Sequence, residues 1–578
     1  MKITENTMKS WDGTELFYRS WLPKKKSKRA IILFHRGHEH SGRWQDVIEK
    51  LDLPDTNFFA WDARGHGRSP GERGYAENFG CLIKDVDAFV RYISEQYNIA
   101  YNDIIVMAHS VGSVLVSTWV HDYAPNIRAL VLGSPALRVR LYIPFAISGL
   151  RLLQKVKGKA FISSYVKGKL LTHDKVKQKS YDEDSLITPN IAVNILLGLY
   201  DAGTRLIRDS GAINLPVLIL SSGADFVVKQ SAQRDYYDGL SHLRKEMQSF
   251  PGFLHDTFNE KDNYKPLNKA RLFITEAFDR GYEEVDLLDA DKRGYTKEEY
   301  DQLCVLPKLF SPKAIQFTIT RIMMKTFGRM SEGIRTGWKY GFDSGSMLDY
   351  VYKNKAKGFS PIGTIMDRLY LDSAGWVGIR QRKINLEKLL NQCIEALHSD
   401  AKEIRITDVA TGHGRYVLDA IKQHSDKSII ALLRDYSDRN VEAGRALADE
   451  LGLENVSYAK GDAFSKKSLN EIKIKPNIGI VSGLFELFPD NKLIMTTLTS
   501  LASKIEVGGY LIYTNQPWHP QLEFIAHVLS NHKGADRWVM RRRTQQEMDQ
   551  LVRSAGFEKI TMEIDEHGIF SVSLARKV

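Results

Sequence analysis

The 578-residue chain is predicted to be an α/β protein of two successive domains, each a mostly parallel sheet covered by helices. Three observations carry this prediction. Short apolar runs at 30–34, 58–62, 104–107 and 215–220 alternate with longer helical stretches in the first half. At Val106-Met107-Ala108-His109-Ser110-Val111-Gly112 a strand runs through a sharp Ser-bearing turn into a helix. At 404–416 a strand runs through Gly412-His413-Gly414 into another helix, and further strand-like runs follow at 429–435, 458–464, 478–486 and 508–513.

Composition bounds the function. Apolar residues make up 43% of the chain and aromatics 10%, as in a folded globular protein and unlike a disordered one. The net charge of +11 suits an anionic partner: nucleic acid, an anionic membrane face or a phosphate-bearing substrate. No nucleic-acid motif accompanies that charge, so nucleic acid is not expected as a partner. Cys81, Cys304 and Cys393 lie far apart, so neither a disulfide framework nor a metal cluster is expected, and a reducing compartment fits best. The first residues lack an apolar signal core, and no run of 18 apolar residues occurs. A cytoplasmic protein is therefore expected, with possible contact at the inner face of the cytoplasmic membrane.

In chain order, 30–34 is a strand that leads into His35-Arg36-Gly37-His38-Glu39-His40-Ser41-Gly42-Arg43-Trp44. The strand at 58–62 leads into Ala63-Arg64-Gly65-His66-Gly67-Arg68-Ser69-Pro70-Gly71-Glu72-Arg73-Gly74. The turn at Ser110 has the form of a nucleophile elbow, usually G-x-S-x-G, with Ala108 in the first glycine's place. Ser110 on such a turn is a candidate nucleophile. Asp225, just past the 215–220 strand, can orient an imidazolium, and His255, on the loop 250–256, can serve as base. The segment Gly37–Trp44, the loop Asp62–Gly74 and the Ser110 elbow together resemble the monoacylglycerol lipase and lysophospholipase branch of the α/β-hydrolases over residues 8–280. The resemblance implies a Ser110–His255–Asp225 triad and an oxyanion hole from the backbone N–H groups of Val111 and Gly37. The family usually has His-Gly where this chain has His35-Arg36. It also implies that His35, His38 and His40 brace the loop without a metal.

Residues 137–205 form an insertion at the position of the lid in related lipases. From Arg138 to Lys179 there are eleven Lys or Arg and one acid, Asp174, interleaved with apolar residues. Such a stretch suits an anionic lipid surface.

Residues 281–395 read as a helical, basic bridge that includes the entry helices of the second domain. Its Asp289–Tyr300 stretch imitates a calcium loop, but Arg293 and Tyr300 occupy ligand positions, so a turn before a helix is expected and no metal. Residues 307–340 carry seven basic residues and one acid, Glu332, and read as either a surface-seeking helix or a connector.

In the second domain, 396–578, position 417 is Val where a dinucleotide fingerprint wants Gly, which disfavours NAD. Asp408, Asp435 and Asp462 each follow a strand. This ordered series resembles the class I S-adenosylmethionine-dependent methyltransferases. The resemblance implies that Asp408, Gly412 and Gly414 line the methionine end of S-adenosyl-L-methionine, that Asp435 grips the ribose and that Asp462 faces the adenine. Glu486, His519 and Glu523 are candidates for handling the methyl acceptor.

The expected architecture is thus an α/β-hydrolase domain with a lid insertion, followed by a Rossmann-like class I methyltransferase domain, a bacterial fusion. The expected function is hydrolysis of acyl esters, of (lyso)phospholipid or monoacylglycerol type, together with methyl transfer to an unidentified acceptor. Two alternatives stand beside it: a thioesterase or small-ester hydrolase acting on a soluble phosphate-bearing substrate, and a membrane-associated binding protein with decayed catalytic halves.

Overall fold

A computed structural model describes residues 1–399, 403–532 and 537–578. The chain divides into two compact units, Met1–Val285 and Asp286–Val578.

The first unit contains β1 (Lys2–Lys9), β2 (Glu15–Leu22), β3 (Ala30–Phe34), β4 (Asn57–Trp61), β5 (Ile104–His109), β6 (Ala129–Gly133), the short β7 (Phe161–Ser163) and β8 (Asn190–Ala192), β9 (Val217–Ser222) and β10 (Lys245–Phe250). Eight of these form one sheet in the order β1-β2-β4-β3-β5-β6-β9-β10. β1, β2 and β4 pair antiparallel, and every pairing from β4 through β3 to β10 is parallel. The central strands β3, β5, β6 and β9 are buried along their whole length, which explains their unbroken apolar sequence. One face packs under Trp21, Trp44, Phe253, Phe258 and Phe273. The expected lid holds the antiparallel β7–β8 pair and the helices Ala146–Lys157, Gly168–Leu171, Lys175–Asp182 and Val193–Arg208.

The second unit contains β11 (Ile404–Asp408), β12 (Ile429–Asp435), β13 (Val456–Lys460), β14 (Ile478–Val481), β15 (Tyr510–Asn515), β16 (Phe557–Ile564) and β17 (Ser571–Lys577), in the order β13-β12-β11-β14-β15-β17-β16. β11 to β15 run parallel, and β17 and β16 close the edge as an antiparallel pair. The strand order reverses at β11, between β12 and β14, so a doubly wound sheet has its switch point there. The residues expected to bridge the domains fall within this unit from 286 onward. They form the helices Tyr295–Cys304, Pro312–Lys325, Glu332–Tyr340, Gly345–Lys353, Pro361–Leu371 and Ala374–Ser399. The last of these packs Leu386, Leu389, Leu390, Cys393, Ile394 and Leu397 against the sheet. In the calcium-loop imitation, Asp291 accepts the Asn491 N–H at 2.9 Å and Tyr300 lies inside the helix Tyr295–Cys304. No helix among the described residues is long and apolar enough to cross a membrane.

Candidate active sites

Ser110 sits between β5 and the helix Val111–Tyr123 with φ 54 and ψ −114, a strained backbone that an L-residue adopts only where its surroundings enforce it. Enforcement is local. The Ser110 N–H donates to Gly133 O at 2.8 Å, and its carbonyl accepts from Ser113 and Ala136, each at 3.1 Å. A Cβ at Gly112 would lie 2.5 Å from His35 O, so only glycine lets the helix meet the end of β3. Ala108 is different: it lies inside β5, in register with Phe34 and Leu132, where extended backbone accommodates a Cβ. The off-pattern alanine therefore leaves the turn intact.

β9 and β10 bring two further residues to the same edge of the sheet. His255 Nε2 lies 2.8 Å from Ser110 Oγ, and His255 Nδ1 lies 2.8 Å from Asp225 Oδ2. The other Asp225 oxygen accepts the N–H groups of Val227 and Val228 at 2.7 and 2.9 Å. Burial alone would raise the Asp225 pKa, but His255 and these bonds together bring it below the ordinary carboxylate value. His109 stacks on His255 with centroids 5.5 Å apart, and its Nε2 lies 3.1 Å from His255 O. Burial lowers the His109 pKa to about 4, so this brace stays neutral.

Val111 opens a 13-residue helix, where the first N–H groups have no intrahelical acceptor and the helix dipole is positive. A Cβ on Gly37 would lie 3.1 Å from Val111 Cγ2, so the two expected oxyanion donors belong to adjacent turns.

Arg36, the departure from the family pattern, is buried in an ion cluster. Its guanidinium donates to Glu39 at 2.7 Å, lies 3.3 Å from Asp256 and stacks over the Tyr181 ring at 4.8 Å. Asp256 follows His255 directly, so Arg36 ties the loop after β3 to the loop that carries His255. His35 Nδ1 donates to Arg36 O at 2.7 Å while its Nε2 accepts the Ala63 N–H at 3.0 Å. His40 joins Asp184 in the lid at 3.0 Å. His38 takes φ 70 at the turn, and burial brings its pKa down to about 4.

In the second unit a cavity of about 740 Å³ lies where β11, β12, β13 and β14 end, lined among others by Gly412, Gly414, Asp435, Asp462, Phe464 and Gly483. Gly412 and Gly414 take φ 59 and 72, which favours glycine. A Cβ at Gly412 would meet only Gly345 Cα, at 3.8 Å, so its surroundings are open.

Asp435 already binds the loop. Its Oδ2 accepts the Gly412 N–H, and its Oδ1 accepts the Ser437 N–H and the Asn440 side chain, each at 2.9 Å. With roughly four lone-pair sites per carboxylate, about one stays free, fewer than a grip on both ribose hydroxyls requires. Asp462 caps its own turn by accepting the Phe464 N–H at 2.9 Å.

Asp408 corrects the sequence expectation. Its carboxylate is fully buried, accepts the Ala410 N–H at 3.1 Å and the Tyr416 hydroxyl, and shapes the glycine loop from beneath without lining the cavity. Burial pushes its pKa up to about 7. Of the acceptor candidates, Glu486 and His519 line a second cavity of the same unit, whereas Glu523 makes an exposed ion pair with Lys313 at 3.0 Å.

Residues 270–577 match the family described as "Putative methyltransferase", and residues 25–262 match the family described as "Serine aminopeptidase, S33". The chain is 48% identical over 566 residues to the Escherichia coli (strain K12) protein named "Uncharacterized protein YnbC", covering 98% of this chain and 97% of that one. It is 23% identical over 278 residues to a monoacylglycerol lipase of Mycolicibacterium smegmatis, covering 47% of this chain and 96% of the lipase. To a monoglyceride lipase of Rattus norvegicus it is 27% identical over 256 residues, covering 41% of this chain and 82% of the lipase. The chain therefore belongs to the family described as "Putative methyltransferase", with an α/β-hydrolase domain preceding the methyltransferase domain in one polypeptide.

Proposed function

We propose that the chain is a bifunctional enzyme, a serine ester hydrolase acting on lipid acyl esters and an S-adenosylmethionine-dependent methyltransferase. The observation that carries the first activity is the unbroken relay from Ser110 Oγ through His255 to Asp225, with both links at 2.8 Å. In this reading His255 Nε2 takes the Ser110 proton as Oγ attacks the ester carbonyl carbon. The N–H groups of Val111 and Gly37 hold the oxyanion, and His255 returns the proton to the leaving alcohol. Water then attacks the acyl-enzyme by the same relay in reverse. Asp225, held low by His255, stabilises the imidazolium that forms between these steps. The intact relay weighs against a decayed binding protein.

Lipid esters are favoured over soluble esters, thioesters and peptides by the lid. Its helix Ala146–Lys157 buries none of its residues, and Phe145, Leu152 and Val156 stand exposed beside Arg151, Lys155 and Lys157. Apolar side chains among lysines suit an anionic membrane surface as the source of substrate. A fluorophosphonate should label Ser110 in the wild-type protein, and monoacylglycerol should be cleaved faster than a short soluble ester or an aminoacyl amide. Ser110→Ala should remove both labelling and hydrolysis, a loss on the order of 10⁶ in rate in a comparable serine protease. Ester hydrolysis undiminished in Ser110→Ala would reject the proposal.

For the second activity, the cavity at the switch point fits an adenosyl cofactor. Open glycine backbone faces it from Gly412, the acidic Asp435 and Asp462 line it, and the buried His413 Nε2 beside it has no hydrogen-bond partner among the described residues. Gly412, Gly414, Asp435 and Asp462 would hold the cofactor, which supplies an electrophilic methyl group when bound. Asp408 keeps the loop in shape from below.

A further inference from the structure

The second unit holds another cavity, of about 430 Å³, within the roughly 300–1,000 Å³ range of small-molecule sites. Its walls are mostly apolar and aromatic: Phe342, Tyr370, Trp376, Phe524, Trp538 and Phe570. Arg382, Gly483 and Leu487 line both this cavity and the larger one, so the two adjoin.

Within these apolar walls, four lining residues carry a buried polar atom without a hydrogen-bond partner among the described residues. Arg382 Nε, Gln516 Nε2 and Trp538 Nε1 are donors, and Glu486 Oε2 is an acceptor. Native interiors rarely leave such atoms unpaired, and a ligand that completes their bonds is one explanation. Arg382 and Glu486 bond each other at 3.1 Å through their remaining atoms, so the charges cancel and a neutral head group suits the site. His519 Nδ1 accepts the Gln521 N–H at 3.1 Å, which leaves the proton on Nε2, and burial lowers its pKa to about 4. It is therefore a further neutral donor.

Two other lining residues point to where the ligand comes from. Leu369 is 69% exposed on the helix Pro361–Leu371, which also exposes Ile362 and Ile365. Met324 lies on the helix Pro312–Lys325, whose Ile315, Ile319, Ile322 and Met323 are exposed. From Lys308 to Arg329 the sequence has five basic residues and no acid. The rim of the cavity is thus an apolar surface set among cations.

We propose that this cavity is the methyl-acceptor site, and that the acceptor is a neutral, lipid-soluble, largely aromatic molecule whose hydroxyl donates to Glu486 Oε2 while its oxygen accepts from Arg382 and Gln516. The inference rests on the methyltransferase reading and adds the class of acceptor to it. A naphthyl body with a single hydroxyl is a simple probe of that class.

Calorimetry on the full-length protein tests it with 2-naphthol and its methyl ether, 2-methoxynaphthalene, alongside S-adenosylhomocysteine. Wild-type protein should bind 2-naphthol about tenfold more tightly than the ether, as a hydrogen bond to a carboxylate implies. Glu486→Gln should shrink that preference to less than about threefold. Met366→Trp, which adds bulk to a partly exposed residue of the cavity wall, should weaken both probes about tenfold or more and leave S-adenosylhomocysteine binding intact. No naphthol binding, equal affinity for the two probes, or indifference to Met366→Trp would overturn the acceptor site while leaving the methyltransferase reading in place. Absence of S-adenosylhomocysteine binding in the wild-type protein would overturn both.

Discussion

Arg36 shows how one residue outside the expected pattern can be more informative than those inside it. Its charge is buried with Glu39 and Asp256, and the cluster fixes the loop that delivers His255. Burial would raise the Glu39 pKa, but Arg36 and Arg43 hold it far below its ordinary 4.5. Because the folded-state pKa is depressed, the stability from Glu39 is fully present above about pH 4.5 and is lost as pH falls through the lower folded value. Arg36→Met should therefore destabilise the first unit by about 3–5 kcal/mol at pH 7, the cost of leaving a buried partner uncompensated. The penalty should shrink as pH is lowered toward 4, where Glu39 protonates in the variant. Thermal inactivation of ester hydrolysis at several pH values measures this, and a penalty that does not depend on pH would contradict it. The sequence disclosed Arg36 as an anomaly but not its partner, because Asp256 is 220 residues away and only the fold brings the two together. Ser110, Asp225 and His255 were legible for the opposite reason. Ser110 and Asp225 each stand just after an apolar strand, and parallel strands deliver their carboxyl ends to one edge; His255 follows the polar strand β10 and is legible from its loop and from the order of the three residues. Asp408 had the same signature as Asp435, a carboxylate at a strand end. Only side-chain geometry distinguishes the one beneath the loop from the one at its surface.

Among elements, the lid helix Ala146–Lys157 departs from a packed helix, as the helix Pro312–Lys325 also does. A surface helix of a folded domain normally buries an apolar stripe, and the lid helix only half-buries Ile147, Leu150 and Leu153 and buries no residue fully. Phe145, at its N-terminal boundary, is 87% exposed, and Val156 is 75% exposed. The protein should bind vesicles containing anionic lipid, more weakly as salt rises, with roughly 1 kcal/mol from each Lys or Arg near the surface. The double variant Phe145→Asp, Val156→Asp should lose most of that binding while cleaving a short soluble ester at the wild-type rate. Co-sedimentation with anionic and neutral vesicles reads the first effect, and equal binding to both at low salt would count against it. Composition pointed to the stretch 138–179, which contains this helix, through its eleven Lys or Arg against one acid. The antiparallel β7–β8 pair of the same insertion was not legible, since strands of three residues carry too short a period to register. The helices of 312–371 posed the same difficulty in the second unit. Their sequences are basic and amphipathic, but which residues line a cavity depends on packing against segments 100 or more residues away, as Met324 and Phe524, which line the same cavity, illustrate.

For the whole molecule, the account is of two chemistries on one chain, each built at the carboxyl ends of its own parallel sheet and each with its own core. The two sheets reach this arrangement by different routes. In the first unit the strained Ser110 turn follows the central strand β5, and in the second the glycine loop follows β11 at the switch point. The order of motifs in the sequence predicted two mostly parallel sheets through their central strands, whereas the outer strands β1, β2, β10, β16 and β17 were not legible. The most direct test of the account is a calorimetric titration of S-adenosylmethionine into the full-length wild-type, Ser110→Ala and Asp435→Ala proteins. The account predicts one site per chain, unchanged affinity in Ser110→Ala, and affinity about ten- to a hundredfold weaker in Asp435→Ala, the loss of a charge-assisted bond of roughly 1.5–3 kcal/mol. Absence of binding heat in the wild-type protein, or equal affinity in all three, would contradict it.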